Sequence, residues 1–355
     1  MGQASAAADR GFPIQWCFAT PYLVMWTLNA PAVTNFRVSL DFYYGGSWDI
    51  GTSSMIVWAM GAAPSKDTFW SSDNGNQSTT RDACDKTGCP PDHSTPAAEL
   101  HTMLTTFSTG PVGFSDAPGE TDAVLLARTC DSAGNLLQPS RPIIAIDSSQ
   151  DVTPGASPAG YVLGTHTDID GSQSAWYLLA HQITVPFVPR ALDVWPRLVS
   201  GGHYSMADVR MLRACASAAL GNAAVEDPVA CGVGAFTAPT DVHNALPITF
   251  EPPPNGTDPF TPNLLIIVPI QECSVPAALL GEPEKITGVS VQRFSSIGCV
   301  GNALGFNVVG QIGETVRFAA LTMLPSQSIV FGNVTFGVSR GASCLVGVGG
   351  IVCAA

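Results

Sequence analysis

Charge is what this sequence has least of. Asp and Glu number 28, Lys and Arg 15, and charged residues make up only 12% of 355, against about 25% in an ordinary soluble domain. A chain this apolar is not held open by self-repulsion, which excludes charge-driven disorder. Basic residues are the scarcer sign: the net charge is −13 and no run of Lys and Arg occurs anywhere. Gripping nucleic acid requires clustered cations that displace counterions from phosphates, so this surface is not expected to do it directly. Long apolar runs are missing too. Residues 264–270 (LLIIVPI) are typical of the longest, far short of the roughly 20 residues a bilayer helix needs. The opening residues 1–6 carry no basic stretch followed by an apolar core, so no secretory signal is expected. Gly2 raises N-myristoylation, but Ala6 stands where that pattern wants Ser or Thr.

Apolar residues are plentiful at 46%, and so are Gly (35) and Pro (28), without a Gly-X-Y period; collagen is out. The length allows one large or two medium domains, each with a real core. With so few charges, much of the surface must be Ser, Thr, Gly, Ala or exposed apolar groups, and large exposed apolar patches mark contact surfaces. The composition leans toward a subunit of an assembly.

Most catalytic signatures are absent. There is no Gly-x-Ser-x-Gly elbow, no His-Glu-x-x-His and no glycine-rich phosphate loop. Asp131-Ser132-Ala133-Gly134 imitates half of an aspartic-protease site, but Ala133 replaces the required Gly and no second copy exists. Asp168-Ile169-Asp170-Gly171-Ser172 alternates carboxylates like a calcium loop, yet lacks the later Glu, so a turn is expected. The histidines, His93, His101, His166, His181, His203 and His243, are isolated from any nucleophile in sequence and read as hydrogen-bonded structural residues. Three Asn-x-Ser/Thr sequons, at Asn76, Asn255 and Asn333, are about what the composition supplies by chance. The ten cysteines are too dilute for a disulfide scaffold, and most read as buried small hydrophobes. Cys84-x4-Cys89-x3-His93, with His101 beyond, is open to three readings: zinc, a local disulfide, or free thiols in an acidic loop.

Periodicity is mostly that of strands. Strands are expected at 36–44 (FRVSLDFYY), 54–60, 123–129, 141–147, 174–180, 182–188, 264–270, 286–294, 314–321 and 328–338. The first alternates, with Phe36, Val38, Leu40 and Phe42 facing a core. Helices are expected at 96–106, led by Pro96 and Glu99, and at 206–220, with Ser205 as N-cap and Gly221 as stop. Residues 148–160 and 251–262 read as linkers.

The segment Asn35 to Phe42, the turn Gly45 to Gly51 and the apolar Met55 to Trp58 resemble the second and third strands of picornavirus-like jelly-roll capsid proteins. The Pro-rich 62–67 is similar to the loop that follows there, and 181–189 (HQITVPFVP) resembles a recurrent strand of that family. Segments 264–270 and 286–294 fall where its last strands belong. The resemblance implies an all-β, eight-stranded antiparallel jelly-roll sandwich with long loops and one or two short helices. An N-terminal arm with the first strand would occupy 1–35, the barrel 36–295 with an insertion at 189–262, and a Gly-rich extension 296–355. It implies a structural subunit, not an enzyme, with no catalytic, metal or cofactor residues. That subunit would build an icosahedral shell with copies or sister subunits, touch RNA only indirectly, mediate host attachment, assemble in host cytoplasm and reside in the virion. The Gly-rich end, 337–355, is expected to order only against a neighbouring subunit, because its glycines weaken an isolated strand. The competing reading is a β-sandwich glycan-binding or glycan-active protein whose Trp48, Trp58, Trp70, Trp176 and Trp195 stack on sugars; Trp58 and Trp176 are expected in the core.

Overall fold

The structure, a computed structural model, describes residues 6–17, 21–39, 50–72, 97–150, 158–219, 224–254, 260–347 and 350–354. It is mostly β. Two compact units divide the chain: Met1–Leu126 with Arg141–Ala145, and Ala127–Ser140 with Ile146–Ala355.

In the first unit, β1 (Ile14–Trp16) and α1 (Pro21–Trp26) precede β2 (Val33–Arg37), α2 (Gly51–Ala59), β3 (Ala63–Ser65), α3 (Ala98–Ser108), α4 (Ala123–Ala127) and β4 (Ile144–Ala145). β2 runs parallel to both β1 and β3. Parallel strands are covered on both faces, which is why Asn35, Phe36 and Arg37 are all buried where alternation was expected. Arg37 meets Asp67 at 3.2 Å. Residues 40–44 lie outside the described ones.

Segment 54–60, expected as a strand, is the helix α2. An apolar run of that length does not distinguish a strand from a packed helix. Helical spacing buries Gly51, Ser54 and Val57. A Cβ at Gly51 would lie 2.4 Å from the Ala145 nitrogen, so only glycine lets the helix come this close. Segment 123–129 is likewise helical in α4, and of 141–147 only β4 is strand. α3 is a helix as expected, with Leu100, Leu104 and Phe107 in the core.

The second unit is antiparallel throughout its paired strands. β5 (Tyr161–Ile169) and β6 (Ser172–His181) form a hairpin. Its turn, Asp170-Gly171, has φ of 51° and 79°, the left-handed pair that a two-residue hairpin favours. β6 pairs with β9 (Asn263–Pro269), β9 with β7 (His203–Asp208), and β7 with β8 (Val233–Thr237). The helix α5 (Val209–Ala218) starts three residues later than the sequence implies, because 206–208 belong to β7. Its N-cap is Asp208, whose carboxylate accepts from Met211 N at 2.9 Å, and not Ser205. Val209, Leu212 and Ala216 form its buried stripe. Arg317 donates to the carbonyls of Ala216 and Ala219, placing a cation at the helix C-terminus, where the last carbonyls lack partners.

Two further sheets follow. β10 (Ala277–Gly281), β13 (Thr315–Thr322) and β14 (Ser328–Thr335) form one; β11 (Phe294–Val300), β12 (Ala303–Val309), β15 (Gly341–Gly347) and β16 (Gly350–Ala354) form the other. Phe306 links them, edge-to-face with Phe294 at 5.8 Å and with Phe318 of β13 at 5.3 Å. A Cβ at Gly332 would sit 2.7 Å from Phe318 and 2.8 Å from Ile351 of β16, which measures how closely β14 and β16 are packed.

Four further expectations change. Segment 182–188 is not a strand: Gln182 takes φ 54°, Pro186 cannot donate to a ladder, and only a bridge from Phe187 to Phe250 remains. Segment 286–294 is a buried loop that enters β11 only at Phe294. The Gly-rich end is ordered within the chain itself, β15 between β12 and β16, with Cys344 joined to Cys353. Six cysteines read as hydrophobes are in fact paired: Cys215–Cys231, Cys273–Cys299 and Cys344–Cys353. Each disulfide restricts the unfolded chain.

Candidate functional site

The chemically richest cluster of the second unit lies under the 282–293 loop. Arg293 is 1% exposed. Its Nε donates to Glu282 at 2.7 Å, its Nη2 to Glu314 at 2.7 Å, and its Nη1 to Glu314 at 3.1 Å and to the Val309 carbonyl at 2.8 Å. Burial raises the Glu282 carboxyl above its ordinary range despite Arg293, Lys285 beside it pulls it down and Glu314 pushes it up. At Glu314 burial pushes the same way, but hydrogen bonds from Arg293 and the backbone of Gln311 and Ser132 prevail and lower it. Tyr177 completes the anchorage, its hydroxyl donating to Val289 O at 2.8 Å and accepting from Val289 N at 2.9 Å. Lys285 donates to the carbonyls of Ala127 and Cys130. Arg293 and Lys285 tie this non-ladder loop down through their side chains, and Tyr177 satisfies the Val289 backbone, which would otherwise be buried without partners.

Asp131, the aspartic-protease look-alike, is a turn. Oδ1 accepts from Ala133 N and Asn135 N at 2.9 Å, and Oδ2 from the amides of Asn135 and Gln311 at 2.8 Å. Burial opposes the charge, but these bonds hold the carboxyl down to about 2. Asp170, of the calcium-loop look-alike, accepts from Ser296 N at 2.6 Å, and Asp168 meets His166 at 3.2 Å. Ser140 lies near this pair, yet its hydroxyl accepts from Asp168 N and donates to Asp168 O. It is bonded to backbone, not presented to the imidazole as a nucleophile. His181 stacks on Tyr161 at 4.9 Å, and burial holds it near 3, neutral at ordinary pH. His203 pairs with Glu272 in the open at 2.7 Å. His101 stacks on Phe69; Cys84, Cys89 and His93 lie outside the described residues. Among the described residues, no three His, Cys, Asp or Glu come together as a metal site.

Of the tryptophans, Trp176 is buried and donates to Pro196 O at 2.7 Å. Trp58 is on the exposed side of α2 under the Arg141 guanidinium at 4.0 Å, not in the core. Trp70 is half-buried. Trp195 is 53% exposed and meets His166 edge-to-face. Trp48 lies outside the described residues.

What remains is surface. Exposed apolar side chains are spread over the first unit (Tyr22, Met25, Val124) and the second (Val199, Val229, Ile312, Val338, Val352). The sheet β11–β12–β15–β16 has no charged residue in any strand. The signal was open to view in the sequence, since 294–313 and 341–355 contain no Asp, Glu, Lys or Arg. The disulfide pairings carried no such local signal. No protein-family model matches the chain, and no curated protein matches it. No helix among the described residues is long and apolar enough to cross a membrane.

Proposed function

We propose that this chain is a structural subunit of a self-assembling shell, an icosahedral viral capsid of the picornavirus-like kind enclosing RNA. The observation that carries the reading is the spread of exposed apolar side chains over both units in a chain with only 12% charged residues. A shell subunit meets neighbours on several sides, and weakly charged apolar patches suit such contacts. The described polar clusters are each used up in holding loops and turns, which favours a structural role over catalysis. With a net charge of −13, genome charge would be balanced by mobile cations or another subunit. In this reading the chain assembles in host cytoplasm, and its disulfides close after the particle leaves that reducing environment.

Trp195 favours a second reading, glycan binding, since an exposed indole beside His166 is the kind of face on which a sugar ring stacks. Electron microscopy of the purified full chain across a concentration series separates the two. Closed particles of uniform diameter are expected. A chain that stays monomeric throughout, and binds immobilised glycans in a Trp195-dependent way, overturns the shell in favour of the second reading.

A further inference from the structure

β16 is the last strand of its sheet, bonded on one side to β15. Natural edge strands are commonly guarded by Lys, Pro or a bulge against pairing with other chains. β16, Gly350-Ile351-Val352-Cys353-Ala354, has none of these. The face beside it is equally bare. Val352 is 75% exposed and stands opposite Leu345, itself 44% exposed. Leu345 pairs in turn with Gly305 on β12. A Cβ at Gly305 would fall 2.5 Å from Val300 Cγ2 and 3.3 Å from Leu345 Cδ2. The missing side chain therefore lets Val300 and Leu345 close over β12, and Val300, Leu345 and Val352 form one exposed apolar row.

The backbone register says which groups face outward. Cys344 and Cys353 stand opposite each other with Cα atoms 4.1 Å apart, close to the roughly 4.5 Å of a non-hydrogen-bonded antiparallel pair. Ile351 and Cys353 thus turn their N–H and C=O away from β15, and Val352 turns its own toward it.

We propose that β16 pairs antiparallel with β16 of a second copy about a two-fold axis at Val352, an inference that rests on the assembly reading above. In that register Ile351 and Cys353 of each copy exchange hydrogen bonds with Cys353 and Ile351 of the other, and Val352 meets Val352 across the axis. The apolar row then continues from one sheet into the next. Charge selects a second copy as occupant. Two chains of −13 repel wherever their carboxylates meet, and this sheet is a face on which none stands. A basic partner, the alternative for so acidic a chain, would find no carboxylate there to bind. A two-fold contact is also self-complementary by construction.

The test uses full-length Val352→Lys, Val352→Glu and their equal mixture, followed by sedimentation velocity. Because Val352 is mostly exposed, each variant should keep the circular dichroism and thermal midpoint of the parent. Like charges directly opposite oppose pairing and the apolar contact is lost, so each variant alone should associate about tenfold more weakly or worse. The mixture should recover association by pairing Lys with Glu. A parent that assembles while V352K assembles equally well overturns the β16 contact and leaves the shell reading standing. Weakened variants whose mixture does not recover overturn the β16-to-β16 register. A parent that is monomeric at every concentration removes both readings.

Discussion

Two regions of the second unit treat charge in opposite ways. Under the 282–293 loop, Arg293, Glu282 and Glu314 are buried together. On the exposed sheet β11–β12–β15–β16 there is no charged group at all. Ordinary surfaces invert this arrangement, with charges in water and neutral groups within. The difference teaches what each region lacks. The loop has no ladder partner, so short backbone bonds and the Tyr177 hydroxyl satisfy its backbone while the buried ions satisfy one another. The sheet has every ladder bond except along its two edges, β11 and β16, and it needs no charge until something covers it.

The largest effect expected from testing this contrast comes from ending the chain after Arg340. That deletion removes β15, which is bonded on both sides, along with β16 and the Cys344–Cys353 bridge. The second unit should lose cooperative unfolding and near-ultraviolet dichroism. A truncated chain that keeps both would show the neutral sheet to be an appendage.

Next in size is R293M, which strands two buried carboxylates. Removing one partner of a buried ion pair costs about 3–5 kcal/mol, read as a lower denaturant midpoint at constant slope. Replacing Arg293, Glu282 and Glu314 together with apolar residues of similar volume should cost much less. If the triple variant is worse than R293M, the ions do more than satisfy one another.

The smallest effect is D131N. In the folded chain the Asp131 carboxyl lies near 2, below its ordinary 3.8, so its stabilising contribution is present above 3.8 and is lost as pH falls toward 2. The D131N variant should be slightly less stable at neutral pH and should show a flatter stability profile over that acid interval. An identical acid slope in both proteins would show that the four hydrogen bonds to Asp131 do not depend on its charge.

The sequence was most readable where local pattern and tertiary role coincide. Segments 174–180, 264–270 and 314–321 are strands to within a residue, 328–338 is strand through Thr335, and Asp170-Gly171 is a turn, because short runs of β-forming apolar residues and turn chemistry decide each locally. Segment 54–60 misled because a short apolar run fits α2 as well as a strand, and only the close approach to Ala145 selects the helix. Segment 286–294 misled more instructively. Residues 286–290 are buried in a row and Arg293 again after them, but the groups that hold them, Tyr177 at Val289 and Glu314 at Arg293, lie outside the segment and beyond a local window. The Gly-rich end was read as too weak to order alone, which holds for an isolated strand. Its neighbours β12 and β14 supply what the glycines withhold. Of the candidate contact surface, the neutrality was legible and the geometry was not, since the register that places Val352 beside Leu345 exists only once the sheet has formed.

The position of β12 has a consequence for synthesis. It pairs with β11 on one side and with β15 on the other, and β10, β13 and β14 belong to a different sheet. As the chain leaves the ribosome, β12 must wait through all of β13 and β14 before its second partner exists. During that interval an uncharged, apolar strand has an open side, the circumstance in which nascent β-proteins aggregate. Slow elongation through 310–340 would lengthen the exposure, and a holding chaperone acting there would have its greatest influence on yield.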